Sequence, residues 1–197
     1  MTGKNPMSGY WLLSSPDTAK NDYVFREDGS SGELVSRQEF RQSTCRKCGK
    51  IDEIASLSLL EDHQFQFPSR DLFFSIDWQL IIGESVKEIF ELSAGAELEF
   101  VPIAANAIKR YIVVPKVLIP VEDPSAYTIT SRCGACGRFY EAIWGSSIPN
   151  VPAFDNIAAF KMENRIGLHF AWILTDAYAK WLKKVKPRIR GLEFVRF

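Results

Sequence analysis

The residues of this chain best suited to chemistry are its four cysteines. They fall into two pairs, Cys45-Arg-Lys-Cys48-Gly49 and Cys133-Gly-Ala-Cys136-Gly137. A two-residue spacing lets both sulfurs of a pair face one tetrahedral ion. The glycine that follows suits a tight turn needing positive φ and leaves backbone N–H groups free to point at the thiolates. Two such knuckles supply the four sulfurs of a closed site, so Cys45, Cys48, Cys133 and Cys136 are expected to hold one structural zinc ion. Basic residues flank both pairs: Arg41, Arg46, Lys47 and Lys50 at the first, Arg132 and Arg138 at the second. Zinc with four thiolates carries about two net negative charges, which these side chains would offset.

Other chemistries suit the pattern less well. Structural disulfides belong to oxidising compartments. A thioredoxin-type pair opens a helix, which Gly49 and Gly137 would weaken. An iron–sulfur cluster also uses four cysteines, although paired CxxCG knuckles favour zinc. A catalytic zinc needs an open position and usually His or carboxylate ligands. No cysteine is spare for that, and His63 and His169 lie far from both pairs, as structural or surface residues would. Glu61-Asp62 and Glu122-Asp123 are adjacent pairs that read as solvated. The sequence has no HExxH, no phosphate-binding glycine loop and no GxSxG. An enzyme is therefore the least expected class.

The elements that position the knuckles can be read from the segments between and after them. The 84 residues separating Cys48 from Cys133 exceed what a compact zinc ribbon uses, which implies an insertion. Residues 80–90, LIIGESVKEIF, parallel residues 172–182, WILTDAYAKWL. Each begins with an apolar run and continues as a helix. Val86, Ile89 and Phe90 share one helical face, as do Tyr178, Trp181, Leu182 and Val185. Thr175 with Asp176 marks a helix start and Pro187 a stop. The same tetrapeptide then follows in both, Leu98-Glu99-Phe100-Val101 and Leu192-Glu193-Phe194-Val195, with the alternation of a half-buried strand. An internal duplication of knuckle, connection, strand, helix and strand is expected, with pseudo-repeats at about 40–101 and 128–197. Further strands are expected at 10–13, 111–114, 117–119, 127–130 and 138–144. Pro115, Pro120 and Pro124 should confine the middle ones to edges or breaks. Residues 27–33 read as a loop. The fold class is therefore α+β, a single domain with mostly antiparallel sheet and two principal helices.

Composition sets the remaining bounds. The chain has 197 residues, 46% of them hydrophobic and 13% aromatic, which fits a packed core and argues against disorder. No apolar run is long enough to span a bilayer, and the first residues lack a secretory pattern, so a cytoplasmic protein is expected. Net charge is zero but unevenly spread: residues 1–100 carry 17 acids and 10 bases, residues 101–197 carry 7 acids and 14 bases. The densest basic stretch, Lys180 to Arg190, holds six bases and no acid. It supports a rival reading as a zinc-ribbon module binding nucleic acid through phosphates. Against that, these bases also suit the polar face and C-terminal turn of a helix, and the chain as a whole has no basic excess.

Both knuckles, together with Arg138 and the tail, resemble a bacterial family of double-CxxCG motif proteins. The tail runs from Asp155 through Ala159 and Phe160 to Ile173-Leu174-Thr175, then the helix, then Gly191-Leu192-Glu193-Phe194. The segment Asp71 to Phe100, with Asp77-Trp78, is also similar to the family's central part. The resemblance covers residues 40 to 197, the N-terminal section matching weakly. The connection between the knuckles is shorter and less proline-rich than the family pattern. Some members are immunity proteins that protect a bacterium from a toxin delivered by contact. The resemblance thus implies a cytosolic protein that binds and occludes a cognate toxin. A basic toxin would suit Asp17, Asp22, Glu27, Asp28 and Glu33, which otherwise serve as solvating loop residues.

Overall fold

The computed structural model describes residues 10–14, 26–28, 34–36, 38–48, 64–65, 67, 69–75, 79–105, 108–119, 127–129, 133–136, 142–144, 153–161 and 170–196. Gly49, Lys50, Arg132, Gly137 and Arg138 around the knuckles lie outside these residues, as do His63, His169, Asp77 and Trp78. So do the acidic pairs at 61–62 and 122–123, and Asp17, Asp22 and Glu33.

The fold is α+β, with two five-stranded, mainly antiparallel sheets and two α-helices among the described residues. One sheet has the order β4 (Gln64–Phe65), β7 (Leu98–Ala105), β8 (Ile108–Pro115), β6 (Leu80–Gly83), β5 (Leu72–Phe74). The other has the order β14 (Glu193–Arg196), β1 (Tyr10–Ser14), β13 (Phe170–Thr175), β12 (Ile157–Lys161), β9 (Leu118–Ile119). Only the short outer pairs, β4 with β7 and β9 with β12, are parallel. Two hairpin-like pairs stand apart, β2 (Arg26–Asp28) with β3 (Leu34–Ser36) and β10 (Tyr127–Ile129) with β11 (Ala142–Trp144).

Helix α1 (Glu84–Ala94) joins β6 to β7, and α2 (Asp176–Leu182) joins β13 towards β14. Their apolar stripes face the sheets, burying Val86, Phe90 and Ala94 from α1 and Tyr178, Ala179 and Leu182 from α2. Thr175 caps α2 as its side chain predicts, its hydroxyl accepting the Tyr178 N–H at 3.3 Å. The helix ends at Leu182, short of Pro187, and Val185 lies beyond it. Trp181 departs from the stripe expected of it. It stacks on Tyr178 and remains 44% exposed. One core cluster takes in Leu72, Ile82 and Leu98 from the first sheet and Leu13, Trp172 and Leu174 from the second.

The two strand–helix–strand units share one arrangement. In the first sheet β6 and β7 flank β8, antiparallel to both, and β5 lies outside β6. In the second β13 and β14 flank β1, again antiparallel to both, and β12 lies outside β13. The first LEFV opens β7, and Glu193, Phe194 and Val195 of the second open the corresponding strand β14, with Leu192 just before it. The fourth strand differs in origin: β8 follows β7 directly, whereas β1 comes from the other end of the chain. The correspondence is one of strand order and direction. Duplication is a claim about ancestry, and strand order does not establish it.

Two expectations need correction. Pro115 does not keep β8 at an edge, since β8 is the central strand of its sheet, whereas β9 and β10 do lie at edges as expected. Pro115 is the last residue of β8, opposite Leu98, where a missing N–H interrupts little of the ladder. Pro102 is tolerated inside β7 on similar grounds, since β4 reaches only Ala104 and Ala105 on that side. Glu27 and Asp28 do not form a loop. They pair in β2 with Val35 and Leu34, so the polar stretch includes a ladder that its composition hides.

Candidate metal centre

The first knuckle is held by an aromatic anchor. A 3-10 turn at Gln38–Ser43 places Phe40 in the core with no exposed surface. Its carbonyl accepts the Thr44 hydroxyl at 2.8 Å, and the Thr44 N–H bonds the Arg41 carbonyl at 3.2 Å. Cys45 follows at once, so its backbone is tied to the core by the residues just before it. The second knuckle, residues 133–136, lies in the connection between the paired strands β10 and β11. Cys133 is buried, and Cys45, Cys48 and Cys136 are half-buried.

The structure brings all four sequence-predicted thiols together. Every pair of Sγ atoms lies within 4.8 Å. Cys45 and Cys133 are 3.9 Å apart, and Cys48 and Cys136 are 3.6 Å apart. A tetrahedral ion bound at zinc–sulfur distances needs sulfurs about 3.8 Å apart. A disulfide needs about 2.05 Å, so these cysteines are thiols. An iron–sulfur cluster interposes several metal and sulfide atoms and spreads its ligands more widely. The geometry therefore fits one metal ion, and the four ligands come two from each knuckle.

Backbone dipoles favour the metal-binding form of the thiols. The N–H groups of Cys48 and Lys47 hold the Cys45 thiol below its ordinary range, against an opposing effect of burial. The N–H groups of Ala135 and Cys136 lower Cys133 to about 6. This is the contribution expected of N–H groups left free inside a knuckle turn. Lys47 reaches across to the second knuckle. Its ammonium lies 3.5 Å from the point where a Cβ on Gly134 would sit. One of the flanking bases thus bridges the two halves of the site. Arg41 and Arg46 are exposed.

Sequence reasoning missed the supports of this centre. Phe40 carried no motif, although an aromatic five residues before a knuckle is a natural anchor. The polar ties between the sheets were equally silent. The Glu97 carboxylate accepts the N–H groups of Asn156 at 3.0 Å and Ile157 at 3.1 Å. Asn156 donates to the Ser93 carbonyl at 2.8 Å, and the Ser93 and Tyr178 hydroxyls meet at 2.8 Å. Asp71 takes a bidentate bond from the Arg190 guanidinium, at 2.9 and 3.1 Å, and one from its backbone N–H. Comparison of the chain with protein-family models, with curated proteins and with solved structures gives no match.

Proposed function

We propose that this chain is a zinc-stabilised binding protein that neutralises a cognate bacterial toxin by occlusion, working in the cytosol without catalysis of its own. The observation that carries the reading is the closed thiol set. Four sulfurs at tetrahedral spacing leave an ion no open position for water or substrate. Such an ion contributes folding energy and fixed geometry and does not activate a nucleophile. Zinc suits this all-thiolate tetrahedron and the slightly electropositive surroundings of the knuckles. The ion would lock the β10–β11 connection to the segment anchored by Phe40, giving a rigid frame for a binding surface. The toxin itself rests on the resemblance to the double-CxxCG immunity family. No helix among the described residues is long and apolar enough to cross a membrane.

A second reading has one observation in its favour. Lys184, Lys186 and Arg188 are exposed, and among the described residues none has an ion-pair partner. Phosphates of a nucleic acid could meet them there. Co-expression separates the readings. The chain is produced in a susceptible bacterium together with each toxin encoded beside its gene. Restored growth with one toxin, lost in Cys136→Ser, is the expected result. No protection, with steeply salt-dependent binding to mixed RNA, would overturn the toxin reading in favour of the nucleic-acid one. Elemental analysis of protein purified without a metal-affinity tag tests the ion, and about one zinc per chain is expected.

A further inference from the structure

Lys47 belongs to the first knuckle by sequence and to both knuckles by position. It stands between Cys45 and Cys48, and its backbone N–H bonds the Cys45 sulfur. Its ammonium lies against Gly134, between Cys133 and Cys136, 3.5 Å from where a Cβ would sit. Chain neighbours aside, no other atom of the described residues comes within 4 Å of that point. Gly134 lies outside the left-handed region, so its turn does not demand glycine for φ. What the missing side chain leaves is a bare stretch of backbone on which an ammonium can lie. Lys47, Gly134 and Ala135 are exposed, whereas Cys133 is buried and the other three cysteines are half-buried. The ammonium therefore sits on the solvent side of the thiol cluster, at the junction of the two knuckles.

We propose that Lys47 is the positioning charge of the metal centre: reaching from one knuckle onto the other, it favours the joined arrangement of the four thiolates and so raises the affinity for the ion. This role rests on the zinc reading, in which four thiolates around a divalent ion keep about two net negative charges. A cation fixed at the junction meets all of that charge when the site is closed. When the knuckles are apart, the 84 residues between them carry half of the thiolates away from it. Only the difference between the two states contributes to holding the ion, and Lys47 gains in the closed one. A base that touches its own knuckle alone keeps the same neighbours in both states and contributes less. Single exposed ion pairs are worth little, but this ammonium faces a centre of more than one charge whose position is fixed.

Equilibrium competition for zinc between the full chain and a chromophoric chelator, at low and high salt, tests the role. The parent is expected to hold one ion per chain. Lys47→Met should raise the zinc dissociation constant about fivefold at low salt, and Lys47→Arg should restore most of the loss. Arg46→Met, a change at the exposed neighbouring base, should alter it less than about twofold. The gap between the parent and Lys47→Met should narrow as salt rises, which lost packing alone would not produce. A parent that binds one zinc, with Lys47→Met binding it equally well, would overturn the proposal. So would a loss indifferent both to salt and to arginine at the same position. A parent that takes up no zinc would overturn the metal reading itself, and this role with it.

Discussion

The Sγ atoms of Cys48 and Cys136, 3.6 Å apart, belong to residues 88 positions distant in sequence, so the centre closes a long loop as well as binding an ion. Removing one ligand should therefore affect the whole chain. Cys48→Ser or Cys136→Ser is expected to lose the metal and lower the melting temperature strongly, measured by elemental analysis and thermal unfolding. Unchanged melting in both would remove the structural role. Tyr178 carries a second prediction at this scale. Burial pushes its hydroxyl up to about 12, the Ser93 hydrogen bond opposing. A phenol whose folded value exceeds its unfolded one, about 10, stabilises the fold fully below that value. The contribution then fades as pH rises from about 10 towards 12. Tyr178→Phe should cost about 1 kcal/mol near neutral pH, since it removes one buried hydrogen bond while Ser93 keeps its bond to the Ile89 carbonyl. It should also flatten the alkaline limb of the stability–pH curve, and an unaltered limb would assign that limb to another group, such as Tyr111.

Segment 190–191 shows how an element can be fixed by backbone geometry. The Arg190 carbonyl accepts the Leu72 N–H at 3.2 Å, joining the approach to β14 onto the edge strand β5 of the other sheet. Gly191 follows with φ of 91°, and a Cβ there would lie 2.0 Å from the Leu72 carbonyl oxygen. Gly191→Ala is therefore expected to destabilise by more than about 1 kcal/mol in denaturant titration, through both the disfavoured φ and the displaced backbone. The Arg190 guanidinium and N–H hold the Asp71 carboxyl below its usual range, so this tie contributes above about pH 4 and is lost as pH falls below it. Asp71→Asn should accordingly lower melting at neutral pH and soften acid unfolding. These elements were legible in the sequence to differing degrees. Both helices, their preceding strands and the LEFV strands are local patterns of period 3.6 and 2, and they fold where those periods place them. The thiol cluster was legible because tetrahedral coordination imposes a spacing that the CxxCG pairs spell out. The Asp71–Arg190 tie joins residues 119 apart and leaves no local trace. The β2–β3 pair was hidden by polar composition, and the central place of β8 by the proline at its end. Trp181 satisfied the helical period but lies at the margin of the buried face, where periodicity cannot decide exposure.

Across the whole molecule, the two sheets differ in how the chain supplies one strand. The end of β7 passes to β8 within a few residues, and the two pair from Ala105↔Ile108 to Leu98↔Pro115. In the second sheet β14 pairs with β1 from Trp11↔Arg196 to Ser14↔Glu193. The end of β14 thus lies beside the start of β1, in the relation that a hairpin would give them, yet no connection joins them. Antiparallel pairing and side-chain alternation are indifferent to which strand comes first in the chain. A circular permutant that joins residue 197 to residue 1 and opens the chain between Ala105 and Ile108 exchanges the two situations. An inserted glycine–serine linker makes the join, and the new termini fall where the Ala105↔Ile108 pairing marks a reversal of the chain. This permutant is expected to fold, to bind one metal ion and to melt cooperatively close to the parent. The join shortens the loop from β14 to β1, while the break frees β7 from β8, so the loop-closure terms largely offset each other. Elemental analysis and thermal unfolding would decide it. A permutant that binds metal but melts far below the parent would mean that the β7–β8 connection organises its sheet in a way the β14–β1 pair does without.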